Sequence, residues 1–160
     1  MKLEIFQADY KNPWHAQMIV ELLNAYAADP MGGNIPLTEE VKEHLVPKLK
    51  EFPTAISILA TVDGQPAGLI NAFEAFSTFK CKPLINIHDI AVLAQYRNQK
   101  IGFKLLQYVE ELAREKDCCK LTLEVLEGNT IARALYEKFG FIGYELDPKA
   151  GKALFFEKSI

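Results

Sequence analysis

The chain has 160 residues, 49% of them hydrophobic and 24% charged, with a formal net charge of −3. That is the size and balance of one globular domain, expected over residues 1–160, with a core large enough to need no staple. It excludes an intrinsically disordered chain, a collagen and a disulfide miniprotein, and no run approaches the ~18–20 apolar residues of a membrane-crossing helix.

Strand and helix signals alternate along the chain. Lys2 to Gln7 alternates polar and apolar residues, as a half-buried strand does. Asn12-Pro13 reads as an N-cap with proline at the first helical position, opening a helix to about Ala28. Asp29-Pro30-Met31-Gly32-Gly33-Asn34 ends it in a loop. Thr38 caps a second helix with Val41, Leu45 and Leu49 facing inward, and Pro47 is expected to kink or end it. Thr54 to Val62 and Ala67 to Phe79 read as a hairpin, because Asp63-Gly64 is a strong type I′ turn signal. Leu84 to Leu93 is a further strand. Ile101, Leu105, Leu106, Val109, Leu112 and Ala113 recur at helical spacing between Asn98 and Lys116. Cys118 to Leu126 reads as a strand and Thr130 to Phe139 as a short helix stopped by Gly140. Phe141–Leu146 and Lys152–Lys158 read as a last strand pair. The order β-α-α-β-β-β-α-β-α-β-β implies a mixed sheet with helices on both faces.

Acids at Glu4 and Asp9 stand where an export signal needs an apolar core, so none is expected. Cys81, Cys118 and Cys119 are odd in number and contain no Cys-x-x-Cys, which suits a reducing cytoplasm. His15, His44 and His88 lack ligand spacing, so no metal site is expected. Residues 1–80 carry 6 Lys/Arg against 10 Asp/Glu, and residues 81–160 carry 12 against 11. Such a split fits ordinary surface scatter, and it also fits a cationic ligand near the first half and an anion site in the second. No basic stripe marks a nucleic-acid binder.

The informative segment runs from Ile87 to Leu106. A strand passes through a polar turn straight into a helix. The helix start leaves several backbone N–H groups free and carries about half a positive charge, which suits a phosphate. Arg97, Lys100 and Lys104 add charge. A plain strand–helix junction with solvated basic residues fits this segment equally, since Gly-x-Gly-x-x-Gly is absent.

Together with Glu124-Val125-Leu126-Glu127-Gly128-Asn129 and the run to Phe141, the segment resembles the GNAT superfamily of N-acetyltransferases. That family carries Arg/Gln-x-x-Gly-x-Gly/Ala after its fourth strand, and Asn-x-x-Ala-x-x-Leu-Tyr-x-x-x-Gly-Phe later. The second pattern is met at every position from Asn129 to Phe141. In the first, Arg97 and Gly102 match, but Lys100 stands where the family has glycine.

The resemblance implies an α/β (mixed α+β) fold, the GNAT acyl-CoA N-acyltransferase fold. Its central mixed sheet of six to seven strands is flanked by about four helices, with strands four and five splayed. It implies an acyltransferase that takes acetyl-CoA as cosubstrate and delivers the acetyl group to an amine by direct transfer in a ternary complex. The pantetheine arm would pair with Ile90, Ala91 and Val92. The pyrophosphate would take the N–H groups of Arg97, Asn98, Gln99, Lys100, Ile101, Gly102, Phe103 and Lys104. A backbone N–H near Ile90 would polarise the thioester.

Tyr136 would serve as general acid to the departing thiolate. Glu124 is a candidate base, because its Leu-Glu-Val setting resembles N-terminal-alanine acetyltransferases of ribosomal proteins; pairing with a lysine is its alternative role. Asn129 would contact the cofactor, cap the next helix, or both. Strand alternation places Asp89 and His88 on opposite faces, and either could hold or deprotonate the amine. Phe73, Phe76 and Phe79 belong to the core or to an acceptor pocket with the Pro30–Pro36 loop, and Phe76 is the one expected to touch substrate. The expected partners are a small-molecule or peptide amine and a second copy in a homodimer, with no nucleic acid and no membrane. A non-catalytic CoA-binding sensor is the alternative function, and Lys100 is its best support.

Overall fold

The computed structural model describes residues 1–160. Its elements are β1 (Leu3–Gln7), α1 (Pro13–Ala28), α2 (Glu39–Glu51), β2 (Ala55–Val62), β3 (Gln65–Ser77), β4 (Lys82–Val92), α3 (Ile101–Glu115), β5 (Leu121–Leu123) and α4 (Thr130–Phe139). The sheet order is β1-β2-β3-β4-β5, antiparallel up to β4 and parallel between β4 and β5. No helix is long and apolar enough to cross a membrane.

Local chemistry sets the boundaries. The Asn12 side chain accepts from Trp14 N and His15 N, which opens α1. Asp63 and Gly64 both take positive φ, 49° and 77°, as a type I′ turn requires. Gly140 adopts the left-handed conformation, and the Gly140 and Phe141 N–H groups close on the Tyr136 carbonyl. Pro47 does not end α2, which runs on to Glu51; the proline is exposed.

Two apolar clusters sandwich the sheet. One joins α3 and Tyr136 of α4 to Ile58, Ile70, Ile85 and Ile87. The other joins α1 and α2 to Leu59 and Leu69. Gly68 permits the close approach of α3, since a Cβ there would meet Leu105 Cδ1 at 3.0 Å and the Ala91 carbonyl oxygen at 3.1 Å.

The sheet has five strands rather than six or seven. Phe141–Leu146 and Lys152–Lys158 share one isolated bridge, Glu145 with Lys152. The expected strand over Cys118–Leu126 is reduced to Leu121–Leu123. So short an edge offers no ladder for another strand, and Ile142, Leu146, Leu154, Phe155 and Phe156 remain exposed. The expected splay is present: β4 meets β5 only at Ile85, Asn86 and Ile87, then runs on alone to Val92.

Candidate active site

The open end of β4 is the centre of the site. Ile90, Ala91 and Val92 pair with Ile70, Leu69 and Gly68 of β3 on one side and with no strand on the other. An added extended segment finds free edge groups there. Next comes a short 3-10 turn over Ala94–Tyr96, then the polar turn into α3. Asn98 and Lys100 both take left-handed φ, 63° and 62°. This coils the turn so that α3 starts at Ile101 rather than Asn98. The N–H groups from Asn98 to Phe103 find no acceptor within the protein; the first helical bond runs from Lys104 N to the Lys100 carbonyl. Free donors at a helix start, with Lys100 and Lys104 exposed beside them, fit a diphosphate. Gly102 lets α4 pack close, since a Cβ would stand 3.1 Å from Leu135 Cδ2. Phe103 packs edge-on against Phe139, and Gln99 Nε2 donates to the Gln95 carbonyl.

The left-handed φ also explains why the family favours glycine at position 100. A residue with a Cβ pays about 1–2 kcal/mol in that conformation. Part of that returns as unfolded-chain entropy when glycine replaces it. Lys100→Gly is therefore expected to stabilise the fold by about 0.5–1 kcal/mol, measured by denaturant melts. Acetyl-CoA affinity, measured by calorimetry, should hold or improve. A tenfold loss would make the lysine a ligand.

Arg97 is engaged already. Its Nη2 donates to Asp29 Oδ2 at 2.9 Å, and its Nε to the Val92 carbonyl at 3.2 Å. The Arg97 hydrogen bond and the Met31 N–H hold the Asp29 carboxyl below the usual carboxylate range. This contact joins the loop after α1 to the turn before α3, across 68 residues of sequence.

Tyr136 is the seventh residue of α4 and is 6% exposed. Burial, followed by the nearby Tyr26 phenol, pushes its pKa up to about 12. The hydroxyl makes no hydrogen bond within the protein, yet no fully buried side-chain polar atom lacks a partner. The hydroxyl therefore opens to solvent. Tyr26 of α1 lies in the same surroundings, and no sequence signal singles it out. Burial raises its pKa, as do the charges of Asp89 and Asp29. Tyr136, Tyr26, Asp89 and Asp29 thus share one electrostatic neighbourhood.

Asp89 and His88 do not lie on opposite faces. Asn71 pairs with Asp89 and Ala72 with Ile87, so His88 is an extra residue in β4, a β-bulge. The His88 ring meets Phe73 edge-on at 5.6 Å. Asp89 Oδ2 accepts from Asn71 Nδ2 at 3.1 Å. Asn71 and Phe73 share a face of β3, and His88 and Asp89 therefore project to that same face, the side of α1 and α2. A groove of about 530 Å³, lined by Val41, His44, Phe52 and Phe73 among others, opens beside His88.

Glu124 follows the end of β5, is exposed, and makes no hydrogen bond or ion pair. Asn129 is partly buried and caps α4 through Ala132 N at 3.2 Å. Phe76 is 60% exposed. It stands five residues beyond Asn71, about 17 Å along the strand at ~3.4 Å per residue. The structure brings Phe73, not Phe76, to His88.

A family model for the acetyltransferase (GNAT) family matches residues 4–141, and the chain belongs to that family. A putative ribosomal protein bS18-alanine N-acetyltransferase of Bacillus subtilis (strain 168) is 33% identical over 99 residues, 62% of either chain. The chain thus spans under two thirds of that relative's length. A crystal structure of a probable acetyltransferase superimposes with a TM-score of 0.81 at 23% identity, covering 98% of this chain and 99% of the other. The aminoglycoside acetyltransferase AAC(6')-Iy, solved with the bisubstrate analogue CoA-S-monomethyl-acetylneamine, superimposes at 0.76 with 18% identity, and each chain is covered in full.

Proposed function

We propose that this protein is an N-acetyltransferase that moves the acetyl group of acetyl-CoA directly to a primary amine of a small molecule or peptide. The observation that carries this reading is the buried Tyr136, which belongs to the apolar cluster that Ile90 and Val92 of β4 pack against and whose open hydroxyl keeps its proton. Acetyl-CoA is the donor in this reading. Its pantetheine lies along Ile90, Ala91 and Val92. Its diphosphate takes the free N–H groups of the turn before α3 together with Arg97 and Lys104, and Asn129 holds it from the start of α4. A backbone N–H near Ile90 polarises the thioester carbonyl.

The amine enters from the side of α1 and α2. There Asp89 and His88 face it together, and the Asp29 and Asp89 carboxylates favour a cation. Asp89 is the preferred base, since Glu124 lies off the strand end. Tyr136 donates to the sulfur as it leaves. The cysteines need no part in this direct transfer. The reading includes a single domain in a reducing cytoplasm, where three free cysteines persist. It also includes a homodimer that engages neither nucleic acid nor membrane.

The test is CoA release from acetyl-CoA with three amines: neamine, spermidine and an alanine-initiated peptide. Turnover of one of them is the expected outcome. Tight acetyl-CoA binding without turnover on any of them would point instead to a CoA-binding sensor.

A further inference from the structure

Ser57 and Asn71 are polar side chains in the apolar heart of the sheet, 1% and 3% exposed. Such groups cost stability unless hydrogen-bonded. Both project toward α1 and α2, where Leu59, Leu69 and Phe73 are their neighbours. They belong to a continuous chain of bonds. The Tyr10 hydroxyl lies 3.0 Å from Ser57 Oγ. Ser57 Oγ donates to Asn71 Oδ1 at 2.7 Å. Asn71 Nδ2 donates to Asp89 Oδ2 at 3.1 Å.

The direction of the chain follows from the donor inventory. A carboxylate only accepts, so Asn71 must present its amide N–H to Asp89 and its oxygen to Ser57. Ser57 spends its one proton on Asn71, so Tyr10 must donate to Ser57. Every donor thus points toward Asp89. The other carboxylate oxygen of Asp89, Oδ1, has no partner in the protein.

We infer that Tyr10, Ser57 and Asn71 are positioning residues that hold Asp89 Oδ2 from behind and leave Oδ1 to receive the acceptor ammonium. The inference rests on the acetyl-transfer reading above. It extends the acceptor site to three residues that never touch substrate. Packing alone does not call for them, because an apolar residue at either buried position would fill the space without the cost of desolvating polar atoms.

The test uses Asn71→Leu, which keeps volume but removes both amide groups, and Ser57→Ala, which removes only a hydroxyl. Asn71→Leu is expected to lower kcat/KM for whichever of the three amines is turned over by about tenfold, and Ser57→Ala by about threefold. The KM for acetyl-CoA should stay within about twofold in both, a split that general destabilisation would not produce. The Asn71 side-chain amide protons should exchange slowly with solvent in the wild type and faster in Ser57→Ala. If Asn71→Leu does not fold, Ser57→Ala decides. Unchanged acceptor kinetics in folded variants, with Asp89→Asn impaired, would overturn the inference, as would fast amide exchange in the wild type. If no amine is turned over, the acetyl-transfer reading and its acceptor site fall together; slow exchange alone would then show only that the bonded chain exists.

Discussion

Tyr136→Phe should lower kcat by about a hundred- to a thousandfold, the usual loss when one preorganised donor to developing charge is removed. Binding of acetyl-CoA should change little, because the ring still fills its place among Phe141 and the α3 cluster. The high pKa refines the chemistry. A phenol with a pKa of about 12 is a much weaker acid than an ordinary thiol, at about 8.5. Complete proton transfer to a departing thiolate is therefore uphill. In the proposed mechanism Tyr136 therefore stabilises the sulfur by a hydrogen bond, and the proton that finally rests on CoA comes from the acceptor nitrogen, through the base or solvent.

The pH profile follows with a definite sign. Raising the pH strips the acceptor ammonium while Tyr136 stays protonated. kcat/KM should climb with pH and show no descending limb from this tyrosine below about pH 11. Tyr136→Phe should lower the whole profile without moving its ascending limb. An unchanged kcat would remove Tyr136 from the mechanism.

Arg97→Ala should weaken acetyl-CoA binding by about tenfold, and the loss should shrink as salt is added. A charge-assisted bond to phosphate alone is worth about 1.5–3 kcal/mol, or roughly ten- to a hundredfold. The lower end applies because Asp29 already holds the guanidinium and must release it. Asp29→Asn should therefore act in the opposite direction and tighten acetyl-CoA several-fold. Titration calorimetry on the two variants gives opposite signs if the phosphate and Asp29 compete. Equal signs would mean that the ion pair only braces the loop.

Much of this was legible from local chemistry. The Asn12 cap, the Asp63-Gly64 turn and the Gly140 stop each depend on a few adjacent residues, and each stands where the sequence places it. So does the Asn129 to Phe141 pattern that carries the family. What was not legible is non-local. The Arg97–Asp29 contact and the Tyr10-to-Asp89 chain join residues far apart in sequence. Their one sequence trace was a serine and an asparagine inside apolar strand runs, at Ser57 and Asn71. The last strand pair failed for a related reason: alternation in Phe141–Leu146 specifies a strand only where an edge exists to receive it, and β5 is too short. Alternation likewise misplaced His88 relative to Asp89, because period-two counting assumes that no residue is inserted.

That inserted residue acts as a phase shift. Counting by twos from Ile85 and Ile87 would send Asp89 into the apolar cluster under α3 and turn Ile90 toward the acceptor side. With His88 extra, Ile90 and Val92 pack with the α3 cluster instead, and the charge emerges opposite. The length of β4, more than the identity of residue 88, keeps a carboxylate out of the core. Replacing His88 by alanine preserves the phase. Deleting it would invert every side chain from Asp89 to Val92 and cost the fold as well as the site.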